Sequence, residues 1–250
     1  MLKIRYFIQL SYAGTNYSGW QVQPNGISVQ QILNEKISLK LGFPVELTGA
    51  GRTDAGVHAS HFMAHFDSIK KLNSSFIDEI NRFLPHDIAI QNITKVTPEA
   101  HTRFSVLNRT YKYQISRIKN PFLFEFFHYY QGQLDIEKMN KAAGCLLKTN
   151  DFTSFSKLHG NNKTNICNVT KAVWEQENDI LFFTISADRF LRNMVRAIVG
   201  TLLDVGKGKL TLKDFKSIIE NKDRQKASSS APAKGLCLTH IEYPEDIFMD

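Results

Sequence analysis

The sequence predicts an α+β protein made of two ferredoxin-like halves. Two observations carry this expectation. Hydrophobic periodicity gives the order β-α-β-β-α-β over the first part of the chain, and the same order returns over the rest. The length is compatible with it: 250 residues with 42% hydrophobic content can bury one large core or two smaller ones. The expected division is residues 1–104 and 105–250, with 97–108 carrying the join. The halves share a pattern and no obvious sequence similarity. Two sheets laid edge to edge would flank a central cleft, a common place for ligands.

The elements follow in order. Ile4, Tyr6, Ile8 and Leu10 alternate along a half-buried strand. After a Gly/Asn/Pro loop, Ser28 and Gln31 have capping-box spacing, and Val29, Ile32, Leu33 and Ile37 form one helical stripe. The stretch "PVELTGAG" reads as a short strand, and "HFMAHFD" as another with Phe62, Ala64 and Phe66 on one face. "SSFIDEINRFLP" is a helix with a serine cap that stops before Pro85, and "DIAIQNITKV" is a strand.

In the second half, "RTYKYQIS" places Tyr111, Tyr113 and Ile115 on one strand face. "DIEKMNKAAGCLL" is a helix with Ile136, Met139, Ala143 and Leu146 in line. "NVTKAVWEQ" and "ILFFTISA" pair across a turn, "RFLRNMVRAIVGTLL" is a helix, and "TLKDFKSIIEN" is a second one capped by Thr211 with Asp214. "LCLTHIEY" is the last strand. Residues 157–168 are polar without periodicity and read as a surface loop. Residues 226–235, "KASSSAPAKG", read either as a linker or as a loop folded against a site.

Charge and cysteines bound the function. Thirty-one basic against 24 acidic residues give a net charge of +7 and a pI near 9.2. That surplus fits a polyanionic partner, and equally a solvated basic face. Cys145, Cys167 and Cys237 have no paired spacing and read as free thiols in a reducing compartment. The N-terminus alternates and lacks a signal-peptide core, and no apolar run approaches the ~18 residues of a membrane span. A cytosolic protein without membrane association is expected.

The stretch "GAGRTDAGVHA", residues 49–59, carries the densest chemistry. Gly51 and Gly56 have P-loop spacing, but Val57 and His58 stand where Lys and Ser/Thr are required. A dinucleotide fingerprint fails because Asp54 occupies the third glycine position, where its carboxylate would repel a pyrophosphate. What remains is a tight turn presenting Arg52 and Asp54. His58, His61 and His65 lack a Cys or acidic co-ligand at metal spacing, so no metal is expected. They read as packing or RNA-contacting groups. Arg189, Arg192 and Arg196 fall at i, i+3 and i+7, on one face of the expected helix. Lys207, Lys209, Lys213, Lys216, Lys222, Arg224 and Lys226 form a basic cluster that is either an RNA-binding or a solvated surface.

The 49–59 loop resembles the signature of the TruA family of tRNA pseudouridine synthases. "SYAGTNYSGWQVQPNGISVQ", "RFLPHDIAI", "HTRFSVLNRTYKY", "FLRNMVRAIVGTLL" and "APAKGLCL" resemble that family's further blocks in the same order, over most of the chain. Ala13 departs from a frequent Asp, and Cys237 from a frequent aromatic residue. The resemblance implies the pseudouridine synthase fold and a cofactor-independent isomerase. Its reaction is the conversion of uridine to pseudouridine at positions 38, 39 and 40 of the tRNA anticodon arm. It also implies a homodimer. By resemblance Asp54 is the catalytic aspartate, Tyr111 the active-site tyrosine and Arg196 the aspartate's partner from the other half. Arg52 takes the place of the flipped base and holds phosphate, and Leu236 lines the base pocket. Arg189, Arg192 and His58 are weaker candidates for RNA contact. The chemistry suits these types: an ionised carboxylate serves as nucleophile or base, a planar guanidinium fixes its orientation, and a tyrosine stacks on uracil and can move a proton. The rival reading is a non-catalytic RNA-binding or RNA-folding protein on the same scaffold.

Overall fold

The alternation at the start of the chain becomes β1 (Ile4–Tyr12) in a computed structural model that describes residues 3–157 and 163–249. The structure is mixed α+β, as expected, and falls into two units: Met1–Leu107 with Leu238–Asp250, and Asn108–Cys237.

In the first unit β1 is followed by α1 (Val29–Leu41), β2 (Thr48–Gly49), β3 (His58–Ser68), α2 (Phe76–Asn81) and β4 (Ile88–Val96). The strands lie in the order β4-β1-β3, with β2 on β3 and the returning β9 (Leu236–Glu242) next to β3. β1 and β3 are antiparallel in the register Ile8↔Ala64 and Leu10↔Phe62, so the two alternating apolar sets share a face. Ile8, Leu10, Phe62 and Ala64 are fully buried, as are Val29, Leu33 and Ile37 of α1. Ile32, expected in that stripe, is only half-buried; the buried line runs at every fourth residue from Val29 to Leu41. Ser28 Oγ accepts from the Gln31 N–H, as its spacing predicts. The serine cap expected on α2 does not form on the backbone: Ser75 Oγ donates instead to Glu79. α2 is short, and its last residue, Asn81, clamps both backbone groups of Ile90 in β4, each at 2.8 Å.

A polar cluster ties down the segment after β4. Arg5 grips Asp67 through Nε and Nη2 (2.8 and 2.9 Å) and donates from Nη1 to the carbonyls of Pro98 and Ala100. His65 Nδ1 lies 2.8 Å from Thr102 Oγ1, whose hydroxyl donates to the Thr48 carbonyl. Burial, then the neighbouring His101 and Arg5, push the His65 imidazole down to about 4. Tyr243, just past β9, donates its phenol to the Thr102 carbonyl, and the Leu107 N–H donates to Glu242 O.

The second unit contains β5 (Asn108–Ser116), β6 (His128–Tyr129), α3 (Ile136–Ala143), β7 (Val169–Glu177), β8 (Ile180–Ala187), α4 (Met194–Gly206) and α5 (Leu212–Asn221). Its strands run β5-β8-β7, with β6 added parallel to β5. Tyr113, Ile115, Phe183, Ile185, Ile198 and Leu202 are fully buried. The helix expected through Leu147 ends at Ala143, and Gly144–Lys148 tightens into a 3-10 turn, consistent with glycine's poor helix propensity. Thr211 and Asp214 form the full reciprocal capping box on α5.

One expectation is overturned here. The helix predicted from Arg189 begins only at Met194. Asn193 adopts a left-handed conformation (φ 64°) that cannot continue a right-handed helix backwards. Arg189 and Arg192 therefore precede the helix, and the three-arginine stripe does not exist. Of the expected surface loop at 157–168, residues 158–162 lie outside the described residues. At its other end Cys167 is buried, and burial pushes its thiol up to about 12. No helix of the described residues is long and apolar enough to cross a membrane.

Candidate active site

The glycine-rich loop folds into the turn its composition suggests. β2 delivers Gly49, Ala50 N–H donates to Met63 O, and the chain then leaves the sheet until β3 begins at His58. Val57 N–H closes a turn onto the Asp54 carbonyl at 3.2 Å, with Gly56 left-handed at φ 76°. Gly56 N–H also donates to Tyr17 O, and the hydroxyls of Thr53 and Tyr12 lie 2.9 Å apart. Asp54 thus sits on a loop fixed from both sides, with its own side chain half-buried and that of Arg52 exposed.

His58 does not meet the expectation of an RNA contact. It is 3% exposed, and its Nδ1 accepts the Gly14 N–H at 2.9 Å. The ring is a packing and tethering group that joins the start of β3 to residue 14. His65 is likewise a buried structural histidine, and burial together with nearby His240 lowers His61. Among the described residues no three His, Cys, Asp or Glu side chains group as metal ligands.

In the second unit Arg196 is held by one surface loop that leads directly into Leu236, and Tyr111 lies on β5. Residues 226–235 are not a free linker. Arg196 Nε donates to Ala231 O at 2.8 Å, and the Ala231 N–H returns to Arg196 O at 2.9 Å. Asn193 and Arg224 both donate to Ser230 Oγ, and Ser228 N–H donates to Thr201. Tyr113 donates its phenol to Pro232 O at 2.9 Å; burial raises that phenol, and the Arg196 charge opposes the rise. Leu236, 5% exposed, follows directly as the first residue of β9. Tyr111, paired with Ile185, meets the Phe190 ring edge-on at 5.2 Å. Arg189 is half-buried and Arg192 exposed on the turn before α4.

Sequence reasoning missed Thr53, Tyr12 and Phe190, and it placed Arg224 only in the basic cluster, not as an anchor of the 226–235 loop. For Arg224 a signal existed: an arginine just before a Ser/Ala-rich stretch can satisfy that stretch's carbonyls, and Arg224 donates to Ala227 O and Ser228 O. The basic cluster around it is divided in purpose, since Lys207 pairs with Asp204 and Lys222 with Asp151. A cavity of about 460 Å3 in the first unit, between Phe7, Met63, His240 and Phe248, is lined by no lysine or arginine and does not include Asp54.

Comparison with known proteins identifies the family. A family model described as tRNA pseudouridine synthase matches residues 142–244. A tRNA pseudouridine synthase A of Bacteroides thetaiotaomicron is 54% identical over 98% of this chain and 93% of its own length. The proteins of that name from Parabacteroides distasonis and Clostridium kluyveri are 52% and 39% identical, each over 98% or 97% of their own length and 98% or 94% of this chain.

Proposed function

The chain belongs to the tRNA pseudouridine synthase family, and from that premise we propose that it isomerises uridine in the anticodon arm of tRNA, at positions 38, 39 and 40, with Asp54 as the catalytic carboxylate. In this isomerisation the N1–C1′ bond of the nucleotide breaks, the uracil turns, and C5 bonds to C1′. The proton on C5 is lost and N1 gains one, so no oxidant, reductant or co-substrate is consumed.

The observation that carries the reading is a half-buried aspartate held on a stiff turn beside an exposed arginine, in a chain more than half identical to synthases of that name. A rigid turn lowers the entropy cost of aiming one carboxylate at a sugar carbon. Extruding a stacked base costs a few kcal/mol, and Arg52 can occupy the vacated space while meeting phosphate. Arg196 is the proposed partner of the carboxylate. Its support is the loop 226–235, which fixes the guanidinium through Nε and so defines the direction of its remaining N–H groups. Tyr111, on the strand beside Phe190, is the proposed stacking and proton-moving group. The two halves are read as ferredoxin-like units flanking the cleft, and the enzyme as a homodimer, which sedimentation at working concentration checks.

The decisive experiment is Asp54→Ala. The variant is expected to bind unmodified tRNA and to form no pseudouridine, followed by tritium release from 5-labelled uridine. Turnover in that variant would remove Asp54 from the mechanism. Carbodiimide primer extension on the same RNA identifies the modified positions.

A further inference from the structure

Residues 118–130, "IKNPFLFEFFHYY", leave β5 and return to it as β6, and neither the fold nor the proposed chemistry accounts for their side chains. Phe122 is 92% exposed and Phe124 69%, with Phe126 and Tyr129 also exposed. Isolated apolar residues on a surface need no explanation; a run of rings does. The loop is not slack. Phe122 N–H donates to the Asn120 side chain at 2.9 Å, Leu123 N–H to Asn120 O, and the N–H groups of Phe126 and Phe127 to Leu123 O. Tyr130 N–H closes the return onto Ser116 O at 3.0 Å. The rings are presented by a turn-rich backbone whose hydrogen bonds are already made.

Cations surround them. The Lys234 ammonium lies 4.1 Å from the centre of the Phe124 ring, and the Lys207 ammonium 5.1 Å from that of Tyr130. Burial and the charges of both lysines lower His128 at the base of the loop. Lys234 is two residues before Leu236, so its contact ties the aromatic loop to the segment that also holds Arg196 and Tyr113.

We propose that this loop, through Phe122 and Phe124 beside Lys234, is a stacking platform for unpaired nucleotides of the RNA substrate. The inference rests on the reading of the chain as a tRNA-modifying enzyme. Charge complementarity selects the occupant. Within 118–130 Glu125 is the single carboxylate, against Lys119, adjacent Arg117 and the two lysines over the rings. A second copy would bring these cations against their own images, whereas a polyanion with π-faces satisfies both features together.

The test compares Phe122→Ala/Phe124→Ala with Phe122→Leu/Phe124→Leu. Both side chains are exposed, so each variant is expected to fold. Affinity for an unmodified tRNA transcript is measured by filter binding, the rate at saturating tRNA by tritium release, and the oligomeric state by sedimentation. Both double variants are expected to weaken binding by about tenfold or more, with the saturated rate and the oligomeric state unchanged. Lys234→Gln should lower the salt slope of binding by about one. Three outcomes overturn the platform: unchanged affinity in the alanine variant, affinity retained by leucine but lost by alanine, or loss accompanied by dissociation of an oligomer. Failure of the enzymatic reading is separate: it appears as wild-type protein that binds tRNA without forming pseudouridine, which leaves the affinity comparison intact.

Discussion

In the proposed mechanism Arg196 is a side chain that a residue of the same charge would not replace. Its Nε donates to the Ala231 carbonyl, and the proposed role asks the same planar fork to orient a carboxylate. A lysine places a single ammonium at the end of a flexible stem and has no N–H at the Nε position. Arg196→Lys is therefore expected to bind tRNA but to lose at least about tenfold in the saturated rate, because orientation is lost while charge is kept. A rate like the wild type's would show that orientation by the fork is not used. At this scale the sequence was informative where a residue type has one dominant use. Gly56, left-handed at φ 76° in the turn that carries Asp54, is such a case. It was uninformative where burial decides, as for His58, whose ring looks like an exposed donor until the Gly14 N–H is seen to occupy it.

Strands and capped helices were legible because their signals are local. The β1 alternation, the Ser28 and Thr211 caps and the pairing of β7 with β8 all emerged where periodicity placed them. The start of α4 was not legible. "RFLRN" fits a helix by composition, and only the left-handed Asn193 ends it. The order of loop 226–235 was equally hidden, since its Ser, Ala and Lys residues look like a linker and anchors of it lie on α4 and β5. That loop rests directly on α4: a Cβ at Gly200 would come within 1.9 Å of the Ser229 carbonyl oxygen. Gly200→Ala should push the loop off the helix, cost about 1–3 kcal/mol, and reduce pseudouridine formation by displacing Ala231 from Arg196. Urea unfolding together with tritium release checks both effects; full stability with full activity would show that the contact is slack.

For the whole molecule, acid should be destabilising in a defined window. His61, His65, His101 and His128 are all lowered, in each case first by burial. On acidification the unfolded chain takes up these protons before the folded one does. Stability is thus present above about 6.5, the ordinary histidine value, and is lost as pH falls towards the folded value of about 4 for His65. Urea midpoints between pH 7 and pH 4 should fall, and His65→Gln should flatten the slope; a flat wild-type profile would contradict the assignment. The order of chain segments has a further consequence, for synthesis. The first unit is discontinuous: it recruits Leu238–Asp250 after the second has been made. On the ribosome, Asn108–Cys237 has all its own residues as soon as Cys237 emerges. The segment bearing Asp54 must wait with the β3 edge that β9 joins uncovered and the Thr102 carbonyl without its phenol. A released chain truncated after Cys237 should therefore be cut by protease within its first hundred or so residues while the later block resists.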